Sequence, residues 1–425
     1  MTVHPTAPRR YRTVALALTT VLGATLTACG AATAAPAPAP ARGQLAELAR
    51  QNVDAGVPGV IVRVDDGRHP VIDIADQAPW TTADHRLTAS DEFRMGSNTK
   101  TMVATLVLQL VAEHRLALTD PVERWLPGLV PNGQAITVRM LLNHTSGLAN
   151  YLYDPAVLTS YTGQDTRQWT PEELLAAGTA QPPLFAPGTR FSYSNTNYIA
   201  LGLVLQRATG QSLADLIQQH IAGPLHLHHT YLPASPTTDP QLAHGYEPDA
   251  VHLTPLLPAG SPPGSSFAGP HRGPADVDTT TDNQSTLWAA GGIVSTAEDW
   301  AAFDTALLSG KLLPAAQLAE MRTTVPEDPT APNGDGYGLG LRKVVFPCGT
   351  VWGHDGQAAG YSSETYTDST GRRTVAVLTS TVFDLTRPQA AATHQALVNA
   401  AVCTMLDKPL PATPSPLPSP SPSAG

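Results

Sequence analysis

The sequence is poor in lysine. Among 425 residues there are four, Lys100, Lys311, Lys343 and Lys408. Basic residues number 25 against 35 acidic ones, a formal net charge of −10. No basic stripe is visible, which argues against a nucleic-acid partner. Cysteine is as scarce, at three: Cys29, Cys348 and Cys403. The main apolar run, Val14 to Ala28, is too short for a membrane-spanning helix. His-Glu-x-x-His is missing, which disfavours a zinc hydrolase, and Gly-x-Ser-x-Gly is missing, which disfavours an α/β-hydrolase. There is no internal repeat.

What remains is a long, ordinarily apolar chain. Hydrophobic residues make up 42%, enough for a substantial core. Many of the 40 prolines lie in the two termini. Arg9, Arg10 and Arg12 precede Val14–Ala28 as the basic region of an export signal. Leu26-Thr27-Ala28-Cys29 resembles a bacterial lipobox, which predicts cleavage before Cys29 and lipid on that cysteine. The alternative is an ordinary secretory signal cut within residues 31–35. The expectation is an exported protein, anchored by lipid on the outer face of the membrane or secreted. Cys348 and Cys403 are then left in an oxidising compartment. Pairing is the default there, with two separate buried thiols as the alternative. The organisation expected is a signal peptide over 1–28, an Ala/Pro linker over 29–42, one folded domain over 43–408 and a Pro/Ser tail over 409–425.

One stretch organises the folded part: Met95-Gly96-Ser97-Asn98-Thr99-Lys100. Apolar residues then recur at three- and four-residue spacing, predicting a helix from about Ser97 to Glu113. Ser97 and Lys100 fall one turn apart on one face. A hydroxyl at a helix start meets free N–H groups and the positive dipole end, which suits a nucleophilic serine with an amine beside it. The bland alternative is a capping serine and a chance lysine. No other Ser-x-x-Lys occurs in the chain.

Residues 43–55 read as an amphipathic helix. Gly59–Val64 and Pro70–Ile74 read as strands joined at Asp65-Asp66-Gly67. A helical, Pro-punctuated middle follows, roughly 114–290. It includes Thr137–His144, Asn197–Ala208 and Ser212–His220. Residues 233–284, rich in Pro, Gly, Ser, Thr and Asp, read as an elaborated surface loop bordering the site. After a helix over Thr296–Leu308 the period becomes two, giving strands at Gly338–Val345, Thr350–Trp352, Gly360–Tyr366 and Arg373–Leu378. A helix over Gln389–Leu406 ends the domain. The fold class is α/β (α+β): an antiparallel sheet flanked by helices and split in sequence by an inserted all-helical domain.

Two further segments carry chemistry. Tyr193-Ser194-Asn195 lies in a polar turn before a helix. A phenol beside an amine relays protons, and an asparagine amide holds a carbonyl. His354-Asp355-Gly356 lies on or beside an inner strand, with a glycine that lets a substrate backbone approach.

In the order Ser-x-x-Lys, Tyr-x-Asn, His-x-Gly, these resemble the penicillin-recognising serine hydrolases, which include class C β-lactamases, D-alanyl-D-alanine carboxypeptidases and related esterases. Leu142-Asn143-His144-Thr145-Ser146-Gly147-Leu148 looks like the family's His-Thr-Ser-Gly-Leu segment, and Ala290–Thr296 is similar to its Gly-rich strand-to-helix junction. The likeness covers about residues 45–405. It implies a β-lactamase/DD-peptidase-like fold with the site between the sheet domain and the helical one.

The nearest likeness is to secreted D-alanyl-D-alanine carboxypeptidase. Trp288 precedes the Gly-rich junction as in that enzyme. Arg342 ends the strand where a substrate carboxylate is held. Cys348 and Cys403 resemble its disulfide. Asp355 stands where that enzyme has threonine, and Ala358-Ala359 replace polar residues.

The implied mechanism is acyl transfer. Ser97 attacks and forms an acyl-enzyme, with Lys100 as its base, if burial keeps part of it neutral. Tyr193 passes the proton to the leaving amine. Which of Lys100 and Tyr193 is the primary base stays open. The N–H groups of Ser97 and Gln357 form an oxyanion hole beside Gly356. Asn195 holds the substrate amide, and His354 orients the substrate and supports Tyr193. No metal or cofactor is required. The implied partners are a peptidoglycan stem peptide, a β-lactam or a small ester, met by a monomer.

Rivals remain. His220, His226, His228 and His229 crowd one segment, though without an acidic residue among them. A penicillin-binding sensor that acylates without turnover is the non-enzymatic alternative. Asp355 decides substrate preference. If it neutralises Arg342, neutral amides or esters gain over a free carboxylate.

Overall fold

An early and a late strand of the chain meet in one sheet. In this computed structural model, residues 39–233, 239–257, 265–331 and 334–409 are described. The expected signal, Cys29, most of the linker and nearly all of the tail lie outside them. Strand β1 (Gly59–Asp65) pairs with β2 (Ile72–Gln77) on one side. On its other side it pairs with β13 (Thr374–Thr379), over 300 residues away, in the register Val60↔Thr379 to Asp65↔Thr374. The remaining strands in chain order are β3 (Phe93–Arg94), β4 (Tyr246–Pro248), β5 (His271–Arg272), β6 (Asp276–Asp278), β7 (Val294–Ser295), β8 (Val325–Pro326), β9 (Gly336–Tyr337), β10 (Arg342–Phe346), β11 (Gly349–Ala358) and β12 (Tyr361–Thr367). The main sheet is antiparallel and eight-stranded, ordered β2-β1-β13-β12-β11-β10-β9-β8.

Five helices reach twelve residues among those described: α1 (Ala39–Asp54), α2 (Thr99–Ala112), α3 (Thr196–Thr209), α4 (Ala297–Leu308) and α5 (Pro388–Met405). Side chains alternate across the sheet as strand geometry requires. Val60, Val62 and Val64 of β1 and Val375 and Val377 of β13 pack with Leu45 and Ala49 of α1 and Leu397 and Ala401 of α5. Ile61, Ala376 and Leu378, one residue out of phase, pack into the other cluster with α2, α3 and α4. Both faces are therefore dry. A one-residue slip of β1 would exchange its two side-chain sets between them. Eleven of the fourteen residues of α2 are buried, so this helix runs through the core.

The differences from expectation have local causes. Helix α1 begins at Ala39, inside the expected linker, because proline is tolerated in a first helical turn. Strand β2 starts at Ile72, after Pro70, which cannot donate to the ladder. Gly338–Leu341 is a turn, not a strand. Gly340 has φ +73°, and its carbonyl accepts from Thr101 of α2 at 2.8 Å. Strand β11 runs six residues past the expected Trp352, because β12 pairs with it through Ala358↔Tyr361. The segment expected as an open loop over 233–284 contains β4, β6 and β5, a small three-stranded sheet, so the insertion is not helical throughout. None of the described residues of that segment lines the catalytic cleft.

Cys348, in the turn just before β11, is joined to Cys403 of α5, closing a sequence separation of 55 residues. Thiol counting on unfolded, unreduced protein should find neither sulfur. Replacing both with alanine should cost about 2–4 kcal/mol. Denaturant midpoints equal to the parent's would refute that contribution.

Candidate active site

Gly96, Ser97 and Asn98 form a 3-10 turn that feeds α2. Glycine is required at 96, with φ +50°. A Cβ there would lie 2.4 Å from the Gln357 nitrogen of β11. Gly356 is required for the same approach, since a Cβ on it would lie 2.0 Å from the Met95 carbonyl oxygen and 2.9 Å from the Ser97 nitrogen. The chain that approaches Gly356 is thus the serine turn itself. These two glycines bring the N–H-bearing atoms of Ser97 and Gln357 to one spot. Asn98 pins the turn, donating to Ser363 Oγ at 2.8 Å and accepting from Thr365 at 2.7 Å.

Lys100 is fully buried. Its Nζ lies 2.9 Å from Ser97 Oγ, 2.7 Å from Asn195 Oδ1 and 2.6 Å from the Ala290 carbonyl. Burial drives its pKa well below the ordinary lysine value, and Asp355 opposes this only in part. A neutral amine has two N–H groups and one lone pair. The two N–H groups satisfy Asn195 and Ala290, and the lone pair faces the Ser97 hydroxyl. That is the geometry of a general base on a serine.

Tyr193 stacks over the lysine, with Nζ 5.0 Å from its ring centroid. Burial raises its phenol pKa, while the contact with Ser97 works the other way. The phenol therefore keeps its proton until a partner takes it.

His144 fixes this tyrosine, a role its sequence segment did not reveal. Its Nδ1 accepts from the Ser194 N–H at 3.2 Å and faces Asn197 Nδ2 at 3.0 Å. Its ring lies 4.3 Å from that of Tyr193. Burial holds its pKa well down.

Two expected roles change. Asn195 spends its amide oxygen on Lys100 and its amide nitrogen on Asn150 at 3.3 Å. It does not line the cleft; it positions the lysine. Trp288 also stays out of the cleft lining and packs the far edge of its indole on Gly202 of α3.

His354 does line the cleft. Its Nε2 faces the Tyr337 hydroxyl at 2.8 Å, and its Nδ1 faces the Asp355 carbonyl. Burial pushes its pKa down to about 4, so it is neutral at pH 7. It makes no hydrogen bond to Tyr193. Tyr337 stands between, its ring 5.5 Å from His354 and 6.0 Å from Tyr193.

The cleft is a cavity of about 250 Å³ lined by Ser97, Phe191, Tyr193, Glu327, Arg342, His354, Asp355, Gly356 and Gln357. Arg342 is not free in it. Its Nε and Nη2 donate to the two oxygens of Glu327 at 2.8 and 2.9 Å, and its Nη1 donates to Asp355. Burial would lower the arginine's pKa, but Asp355 and Glu327 together raise it. Burial would raise the pKa of Asp355, but Arg342 outweighs it and the carboxylate stays ionised. Glu327 was not anticipated, because it lies in a loop outside any motif.

Glu247 was also missed. Fully buried, it accepts from the N–H groups of Gly360, Val382 and Phe383 at 2.8, 3.1 and 3.0 Å. It clamps the turn that follows Gln357. Burial pushes its pKa up to about 8.

The four clustered histidines do not assemble. His229 pairs with Glu92 at 3.1 Å, and the one group of potential metal ligands found among the described residues is Asp84, His244 and Asp278. Arg272 already donates to both oxygens of Asp84, at 2.7 and 2.8 Å.

Lys100→Ala and Tyr193→Phe should each lower the acylation rate of Ser97 by about 10²–10⁴, with the circular dichroism spectrum unchanged. Near-parental acylation in either variant would reject its role.

Residues 45–400 match the family model described as Beta-lactamase. The chain is similar to the D-stereospecific amidohydrolase from Streptomyces sp., with 37% identity, a TM-score of 0.68, and coverage of 80% of this chain and 94% of that one. Esterase EstB of Burkholderia gladioli is 37% identical over 172 residues, 38% of this chain and 44% of that protein. Penicillin-binding protein 4* of Bacillus subtilis (strain 168) is 32% identical over 175 residues, 39% and 37% respectively. The chain spans half or less of the length of the curated relatives it matches.

Proposed function

Because the chain belongs to the Beta-lactamase family and is one of its serine hydrolases, we propose that it cleaves neutral amides or esters of D-amino acids. The observation that carries this reading is Arg342, held by Glu327 and Asp355. A carboxypeptidase needs a free cation for the substrate's terminal carboxylate. Here three of the guanidinium's five N–H donors are taken and its charge is paired with two carboxylates, the second of which repels another anion. The D-configuration is suggested by the name of the amidohydrolase that is 37% identical over the aligned 80% of this chain.

The cycle follows from the distances. Neutral Lys100 takes the Ser97 proton across 2.9 Å as Oγ attacks the carbonyl. The N–H groups of Ser97 and Gln357 receive the oxyanion, an interaction whose loss typically costs about 10²–10³ in rate. Tyr193 delivers a proton to the leaving group, and water then releases the acyl group by the reverse route.

The test is a substrate panel: a D-amino acid methyl ester and amide, a D-Ala-D-Ala peptide acid and a cephalosporin. Turnover of the first two, lost in Ser97→Ala along with fluorophosphonate labelling, is expected. Arg342→Ala should not depress the peptide acid selectively. If it does, and the acid is the best substrate, the D-alanyl-D-alanine carboxypeptidase reading replaces this one.

We further propose export, with residues 1–28 removed and lipid on Cys29. In the producing cell, Cys29→Ser should release the protein from membranes or block its processing. An unchanged mature mass and distribution would point to an ordinary signal instead.

A further inference from the structure

The cleft carries an excess of negative charge when it is ready to react. Its lining contributes two carboxylates, Glu327 and Asp355, and one guanidinium, Arg342. The other basic groups add nothing at neutral pH. Lys100 must be neutral to act as a base, and burial favours that form. His354 is neutral by the same cause. Tyr193 keeps its proton. The sum over the reacting cleft is one negative charge.

That charge has an address. Glu327 is used on both oxygens by Arg342. Asp355 is used on one, Oδ1. No other side chain among the described residues donates to this carboxylate, and the side chain is 41% exposed. Asp355 lines the same cavity as Ser97. An ionised carboxylate that lines a half-open cleft can take a further donor, and a cation there forms the stronger, charge-assisted kind of bond.

Resting on the hydrolase reading above, we propose that this cleft has a cation subsite. Asp355 is its anchor, and the preferred substrates bear an ammonium group next to the scissile carbonyl. Arg342 and Glu327 act as a neutral brace that holds Asp355 in place, not as an anion receptor. The ammonium has two possible sources: the unblocked α-amine of the acyl part, or a cationic leaving group. Both present the same chemistry to Asp355, and matched pairs separate them.

The first pair is D-phenylalanine methyl ester against its N-acetyl derivative. The second is a choline ester against the 3,3-dimethylbutyl ester of the same acid, its uncharged isostere. In at least one pair the cationic member should be favoured by roughly fivefold or more in kcat/KM, and the ratio should shrink as salt is added. The pair that shows the preference identifies the source. Asp355→Asn should bring the ratio toward one while the neutral ester is still turned over. Asp355→Asn combined with Glu327→Gln releases Arg342, and the preference should then invert toward a substrate carboxylate. Glu327→Gln alone provides a second variant if Asp355→Asn does not fold; with the brace then positive, the cation preference should weaken. Equal rates within both pairs, together with turnover of the neutral esters, would overturn the cation subsite and leave the hydrolase reading standing. If no ester is turned over, the hydrolase reading fails. Protection of Ser97 from fluorophosphonate by tetramethylammonium then decides the subsite separately. Protection that is lost in Asp355→Asn supports it, and no protection rejects it.

Discussion

The structure depends on keeping one lysine out of water. Lys100 sits on a helix buried along most of its length, and its amine meets three partners and no solvent. An isolated charge there would be costly, so the amine favours its neutral form. Neutrality makes it a base, and the Ser97 hydroxyl one turn earlier makes that base useful. The surrounding arrangement serves this placement. Asn195 and the Ala290 carbonyl take the N–H groups, and the Tyr193 and Tyr198 rings cover the amine at 5.0 and 5.5 Å. His144 holds the turn from which Tyr193 and Asn195 project. The site is a desolvation device first and a set of motifs second.

Around that lysine, much of the chemistry was legible in the sequence and some was not. Ser97, Lys100, Tyr193 and His354 each belong to a short segment whose spacing has a physical meaning, and the fold brings the four together. The same logic expected Asn195 and Trp288 at the substrate, whereas the fold sets Asn195 against Lys100 and Trp288 against Gly202. Nothing in a sequence says which of several nearby polar groups will satisfy an amide first, or that a tryptophan will settle on Gly202. Glu327 was invisible for a different reason. It meets Arg342 across fifteen residues of loop and strand, and the curl of the short edge strands β8 and β9 makes that meeting. The long strands and helices followed their periods. The three-stranded sheet did not, because strands of two or three residues have too few side chains to show one. Strand β11 was read short because Gly349, Gly353 and Gly356 weaken its propensity, while pairing with β12 overrides it.

Glycine marks the places where backbones nearly touch. Gly96 and Gly356 let the serine turn press against β11, and Gly353 lets β12 do the same, since a Cβ there would lie 2.0 Å from the Thr365 carbonyl oxygen. The oxyanion-binding atoms are thus backbone held by backbone. Glu247 adds the third side of this frame from the small sheet. A segment that read as an elaborated surface loop therefore braces the far end of the catalytic strand.

The pairing of β1 with β13 has a consequence for how the chain reaches its native state. Strand β1 is made early and finds its second neighbour only after more than 300 further residues. Until then its hairpin offers an open edge with both faces apolar, a shape prone to pairing with the wrong partner. Closing such a distant contact costs loop entropy before it returns any burial, and high contact order slows folding. The sheet cannot close on a nascent chain that still lacks its last fifty residues. Synthesis from the N-terminus thus leaves that edge of β1 without its native neighbour until β13 has been made. A truncation that removes β13 exposes the catalytic half of the sheet as well, because β12 loses the same neighbour.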